Sequence, residues 1–444
     1  MTIKQRVGRA LGVALVTLTL GACEFISPVE SNPNSVPEAT VDQLFTAVQV
    51  NSFFLAGGGL SRIASIWTQQ MAGTDRQFVT FDNYTITEAD FDDEMDALYT
   101  GGGLIDLRTA IAQAEEAGRR EYAGILKIHE AFMVGLIASF YGDIPYTEAV
   151  AGVDDPVLDD QADVYGRVQA LLDAAIGDLA GGGVGPGSLD MNFGGDTDAW
   201  EAVAYTLKAR FHMHWAEVQG ASAYTAARAA ALNGIQSAAD DWEAKFGAAA
   251  TENNLWYQFQ RDRSGYISAG DFLPPLMGTD PRTSSYFDAS PATPRSSDLS
   301  STGFGAPGFD FPIATCSENY FILAEAEYRL GSEANAIAAA QDALACEEAR
   351  WGLQPPNDLS EVSDDIANLT GTALFNTIMD QKYIAQFLNP DAYNDYKRTC
   401  RPAITERANG MPGRLYYSQG ERQANDNVPA AGTDPNDKYN DNDP

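Results

Sequence analysis

The sequence predicts a mostly α-helical protein, and three observations predict it. Apolar residues recur at three- and four-residue steps along most of the 444-residue chain. Strand-like alternation is confined to a few short runs. The helical stretches come in pairs, the pattern of a solenoid-like core, although no fixed-period repeat is visible. The composition, 45% hydrophobic and 20% charged, is globular and sufficient for one large core. No boundary clearly divides two domains. A formal net charge of −34 argues against binding nucleic acid, which needs a basic footprint.

The first residues read as a targeting segment. Lys4, Arg6 and Arg9 form a positive region, and residues 10–20 form an apolar stretch too short to span a bilayer permanently. Leu20-Gly21-Ala22-Cys23 resembles a bacterial lipobox, which implies cleavage after residue 22 and acylation of Cys23. The simpler alternative is an ordinary secretory signal. Several acyl chains would hold the protein firmly on a membrane. Residues 23–38, rich in Pro, Asn and Ser, read as an extended tether.

From there the expected helices follow in order: 40–54, 60–71, 91–116, 121–140, 162–179, 198–218, 223–239, a hairpin over 317–352, and 372–387. Asp198 is the expected N-cap of its helix, and Ser332 caps the second helix of the hairpin, which turns at Gly331. Glycine triplets at 57–59, 101–103 and 181–183 mark loops. Residues 255–282 and 288–312 read as irregular, and 431–444 as a disordered acidic tail. The folded domain is therefore expected over 39–430. With Cys23 assigned to lipid, three cysteines remain, and export makes a disulfide plausible. Cys316 opens one helix of the hairpin and Cys346 nears the end of the other, so an antiparallel hairpin sets them side by side. Cys316–Cys346 is the expected pair, ahead of one using Cys400.

One stop is elaborate. The helix over 121–140 ends in Tyr141-Gly142-Asp143-Ile144-Pro145-Tyr146, where a single glycine would suffice. Gly142 is free to take positive φ, Asp143 can accept from nearby amides, and Ile144 before Pro145 is pushed to an extended conformation. The result is a rigid, aromatic-flanked corner. The stretch YGDIPYTEA also resembles a signature of the SusD/RagB family of outer-membrane nutrient-binding lipoproteins. Four further stretches fall in that family's order: LPPLMGTDPRTSSYF, ENYFILAEAEYRLG, IMDQKYIAQFLNPDAYNDYKRT and RLYYSQGERQANDNVP. Ser418 stands where a proline is common in the family, and the cysteine trio is not general to it. The resemblance implies a scaffold of four tetratricopeptide-like helix pairs with a loop-rich ligand face. It implies a lid on a SusC-like TonB-dependent transporter, facing outward on the outer membrane, that captures an oligosaccharide or a peptide. Tyr141, Gly142, Asp143, Pro145, Tyr146 and Glu325 are scaffold positions by this resemblance.

Sugar capture uses flat aromatic faces beside amides and charged groups. Two segments outside the amphipathic helices offer such sets. One holds Arg76, Gln77, Phe78, Phe81, Asp82, Asn83 and Tyr84. The other holds Asn253, Asn254, Trp256, Tyr257, Gln258, Arg261 and Tyr266. Phe81, Asn83, Tyr84, Trp256, Tyr257, Arg261 and Tyr266 are the ligand-binding candidates. The plainer reading is that these aromatics pin loops to the scaffold. His129 and His214 lie on apolar helix faces and read as core histidines. His212 and His214 do not share a face, and no Cys/His spacing supports zinc. The acidic run 154–160 lacks the pattern of a strong calcium loop. No nucleophile elbow or Walker loop is present. No catalytic residue, metal or cofactor is expected. The rival readings are a secreted helical glycoside hydrolase with two carboxylates flanking a cleft, and a partner that only gates its transporter.

Overall fold

A computed structural model describes residues 39–90 and 92–429. The chain divides at Thr40 into two units; only the second, from Val41 onward, is described below. The targeting segment, Cys23, the tether and the 431–444 tail lie outside the described residues.

The fold is mostly helical, as expected. Its first helices are α1 (Val41–Gly57), α2 (Gly59–Trp67), a short α3 (Gln77–Asp82), α4 (Asp92–Tyr99), α5 (Leu104–Glu116) and α6 (Arg120–Tyr141). They continue with α7 (Gln161–Leu179), α8 (Thr197–His214), α9 (Ala221–Ala231) and α10 (Leu255–Asp262). The C-terminal set is α11 (Cys316–Arg329), α12 (Glu333–Trp351), α13 (Ser360–Ala367), α14 (Gly371–Ala385), α15 (Asp391–Thr399) and α16 (Gln419–Ala424). Successive helices pack on one another: α5 on α6, α6 on α7, α7 on α8, α8 on α9, α9 on α11, α11 on α12. Two antiparallel ribbons clip the loops to this stack. β1 (Met71–Gly73) pairs with β3 (Ile267–Ala269), and β2 (Trp242–Ala244) with β4 (Phe311–Ala314).

Helix α6 is the centre of the core. By length and composition it could cross a membrane, but it is buried inside the protein. An all-round apolar helix is what a core position needs. Gly135 lets it approach α8: a Cβ there would sit 2.3 Å from the Phe211 ring. At its end Gly142 takes φ +81°, and the Asp143 carboxylate accepts from the Gln161 amide at 2.8 Å, capping the entry to α7. Ile144 is extended and bridges Asp159. The Tyr146 hydroxyl donates to Glu130 at 2.9 Å. The corner is tied back by the C-terminus, where the Tyr417 hydroxyl donates to the Asp143 carbonyl at 2.8 Å.

The other family stretches hold buried ion pairs. Arg398 is clamped between Glu325 of α11 and Asp395 of its own helix. Arg210 meets Glu318, Lys382 meets Asp395, and Arg282 meets Asp280. His214 bridges Tyr165 and Asp391, each at 2.7 Å. His129 is fully buried and bonded to Ser52 at 2.7 Å. Cys316 and Cys346 are joined in a disulfide with Cα atoms 5.8 Å apart. Ser418 is an N-cap, its hydroxyl accepting from the Glu421 amide at 3.0 Å.

Several expected boundaries move. The N-cap of α8 is Asp196, which accepts from the amides of Asp198 and Ala199. Ser332 makes no side-chain cap. The expected helix over 91–116 is two helices, broken at the glycine triplet 101–103. The helix expected to reach 239 stops at Ala231, ahead of the Asn233-Gly234 turn. The stretch 255–282, expected to be irregular, opens with α10, because Asn254 caps the amides of Trp256 and Tyr257.

Candidate functional site

Helix α10 lies over the junction of α1 and α2, and its two faces have different roles. Trp256 and Phe259 point inward. The Trp256 indole N–H donates to the Ser61 hydroxyl at 2.8 Å, and Ser61 donates to the Leu388 carbonyl at 2.6 Å. Asn254 donates its amide to the Phe309 carbonyl at 2.8 Å. The helix is thus bolted to α2 and to the loop before β4.

A groove runs along α10 in three adjoining compartments. The first, about 570 Å³, is apolar, walled by Val50, Phe53, Phe54, Met191, Phe246 and Leu255, with Asn253 and Gln258 among its polar groups. The second, about 160 Å³, shares Phe54, Leu255 and Gln258 with it and adds Arg62, Asp262 and Arg263. The third, about 360 Å³, shares Arg62, Phe259 and Arg263 with the second. It adds Gln77, Phe78 and Phe81, with Asp90, Asp93 and Glu94 along one side. Phe259 stands edge-on to Phe78 at 5.1 Å, and Tyr266 lies 6.3 Å from Phe78. The Arg76 guanidinium sits over the Tyr266 ring at 5.8 Å. Apolar walls, a few polar groups and two cations suit a ligand with both C–H faces and hydrogen-bonding groups.

The sequence candidates are distributed unevenly over this geometry. Trp256 is fully buried, so its faces are closed to a ligand; it is a bolt, not a platform. Tyr84 is also buried, and its hydroxyl donates to the Trp67 carbonyl at 2.9 Å. Burial pushes that phenol up to about 12. Asn83 is exposed but spent locally, its amide donating to the Val79 carbonyl at 2.8 Å. Phe81 is mostly buried and forms part of the third compartment's wall. Tyr266 is half-buried beside the same cluster. Tyr257 is half-buried and Arg261 exposed, one turn apart on α10 with the guanidinium 5.8 Å from the ring. Neither belongs to the walls of the three compartments.

Sequence reading missed Phe53, Phe54, Arg62, Phe246, Phe259 and Arg263. One signal was available for Arg62, a lone cation in an apolar helix just after the glycine triplet 57–59. The histidines offer no rival site. The void beside Arg210, His214 and Asp391 is about 10 Å³, room for no more than a water. Among the described residues, no three His, Cys, Asp or Glu side chains converge as a metal site would need.

Comparison with known proteins agrees with this architecture. A search of curated proteins gave no match. Solved structures align over most of their lengths. A SusD/RagB family protein from Bacteroides thetaiotaomicron has TM-score 0.71 and 21% identity, covering 88% of this chain and 95% of its own. A SusD homologue from Bacteroides vulgatus has TM-score 0.72 and 17% identity, covering 90% and 94%. A chitin-binding SusD homologue from Flavobacterium johnsoniae has TM-score 0.71 and 19% identity, covering 87% and 94%. At these identities the likeness is one of fold. Residues 33–418 match the SusD-like family described as "Starch-binding associating with outer membrane". With that match across most of its length, the chain belongs to the SusD/RagB family.

Proposed function

We propose that this protein is a cell-surface nutrient-binding lipoprotein that captures an oligosaccharide, or a peptide, without chemistry and passes it to a partner. The partner is a SusC-like TonB-dependent outer-membrane transporter, over which the protein acts as a lid. The observation that carries the capture step is the groove along α10, with phenyl walls beside amides and arginines. The anchor would be the acylated Cys23, with residues 24–38 as tether. Membership in a family described as starch-binding supports a saccharide over other nutrients. Of the original candidates, Tyr266 and Phe81 stand beside the groove and Tyr257 with Arg261 lie on the same helix.

The test is calorimetry of the purified full chain against plant and microbial oligosaccharides and peptides. The wild type is compared with Tyr266→Ala, Tyr257→Ala and a Phe54→Ala groove variant. A saccharide that binds, and binds about tenfold more weakly to the Phe54 variant, supports capture in the groove. Turnover of the bound sugar would instead establish the hydrolase alternative. Co-purification of the native protein with a large β-barrel, and release of a Cys23→Ser variant from the membrane fraction, test the partner and the anchor.

A further inference from the structure

The middle of the groove is electrostatically unlike the rest of this acidic chain. Three of the fully buried arginines elsewhere are held by carboxylates: Arg210 by Glu318, Arg282 by Asp280, Arg398 by Glu325 and Asp395. Burial works against each cation, and the carboxylates more than offset it, so all three guanidinium groups are held above their ordinary range. Arg62 goes the other way. It is half-buried and makes no ion pair among the described residues. Burial lowers its guanidinium to about 10; the field of Glu94 opposes this and that of Arg263 adds to it. Its desolvation is therefore not compensated within the protein.

Arg263 stands at the end of α10, exposed and likewise without an ion pair among the described residues. Both guanidinium groups lie against the same ring, at 5.0 Å and 5.7 Å from the Phe259 centroid. This cation–π pairing holds two like charges together in one compartment. The carboxylate next to Arg263 in sequence, Asp262, is already taken by Arg261 at 2.7 Å. On the far side Asp90 is bonded to the Thr87 amide and hydroxyl, each at 2.7 Å. Burial raises the Glu94 carboxyl from its ordinary value, which weakens it as a counter-ion. Asp93, at the same rim, is exposed.

Resting on the nutrient-capture reading, we propose that the groove takes an acidic saccharide, a uronate-containing oligosaccharide whose carboxylate is bound by Arg62 and Arg263. A guanidinium matches a carboxylate with two parallel hydrogen bonds, and such charge-assisted bonds are the strong ones. The apolar first compartment then receives the C–H face of a neighbouring residue of the sugar.

The test is calorimetry of the full chain with trigalacturonate, maltotriose and chitotriose, at about 50 mM and about 500 mM salt. Trigalacturonate should bind at least ~10-fold more tightly than either neutral sugar, and this preference should shrink at high salt. Arg263→Gln and Arg62→Gln should each weaken trigalacturonate ~10-fold or more and weaken the neutral sugars less, so that the preference for trigalacturonate falls. Melting curves check the Arg62 variant, and if it does not fold the exposed Arg263 variant decides. Neutral sugars binding as well as trigalacturonate, or variants without effect on it, overturn the inference and leave the nutrient reading standing. Binding of none of the three sugars overturns the inference, and the peptide arm of the nutrient panel then decides the nutrient reading.

Discussion

Trp256 illustrates how little a residue's type says about its task. Its ring is the largest in the loop segment, yet it is closed off and its N–H is spent on Ser61. Trp256→Ala should therefore cost roughly 3–5 kcal/mol of stability, seen as an earlier denaturant midpoint. An unchanged midpoint would mean the ring is free after all. His129 makes a second residue-scale case. Burial alone lowers its imidazole to about 3. Its folded pKa lies below its unfolded value, so the unfolded state binds the extra proton. Stability from this group is fully present above about pH 6.5 and falls by about 1.4 kcal/mol per unit as pH drops toward 3. NMR of the ring should show no titration near neutral pH in the folded protein; a midpoint near 6.5 would show that the site is wet. Glu325, in contrast, was legible at this scale. An acid inside an apolar helix requires a cation, and Arg398 is that cation.

Among the elements, α6 combines strong apolar character with one deliberate gap. In an isolated helix Gly→Ala is stabilising by up to about 1 kcal/mol. At Gly135 the sign should reverse, because the new methyl meets the Phe211 ring of α8. A loss of roughly 1–3 kcal/mol is expected in a chemical denaturation series; a gain would show that α8 can move away. The long helices were readable because each carries several turns of consistent periodicity. Helix α10 was not, since two inward residues, Trp256 and Phe259, are too few to define a period. Its cap, Asn254, was the local clue.

For the molecule as a whole, the C-terminal helices are held by charge and by covalent linkage. Two buried arginine clusters lock α11 to α8 and α15, and the Cys316–Cys346 bond closes a sequence separation of 30 residues between α11 and α12. A loop of that length corresponds to roughly 3–4 kcal/mol of restricted unfolded-state entropy. Reduction, or a Cys316→Ser/Cys346→Ser double variant, should lower stability by about that amount in equilibrium unfolding while leaving the helical circular dichroism intact. No loss on reduction would show that the thiols are not bonded in solution. The groove lies at the other side of this accounting. Its compartments are walled by α1, α2, α3, α4, α10 and the segment after β2.

By itself the sequence determined the helical class, the long helices, the rigid corner at Gly142–Tyr146 and the family, and it favoured Cys316–Cys346 over a pair using Cys400. Each rests on local periodicity, on turn chemistry or on motif order along the chain. Only the tertiary structure decided which aromatics are bolts and which are walls. It also decided that Arg62 and Arg263, about two hundred positions apart in the chain, each lie against the Phe259 ring. The physical reason is that burial and ion pairing are properties of what packs nearby in space. Ser61 closes off Trp256, and Arg62 makes no ion pair among the described residues although Glu94 lines the same compartment.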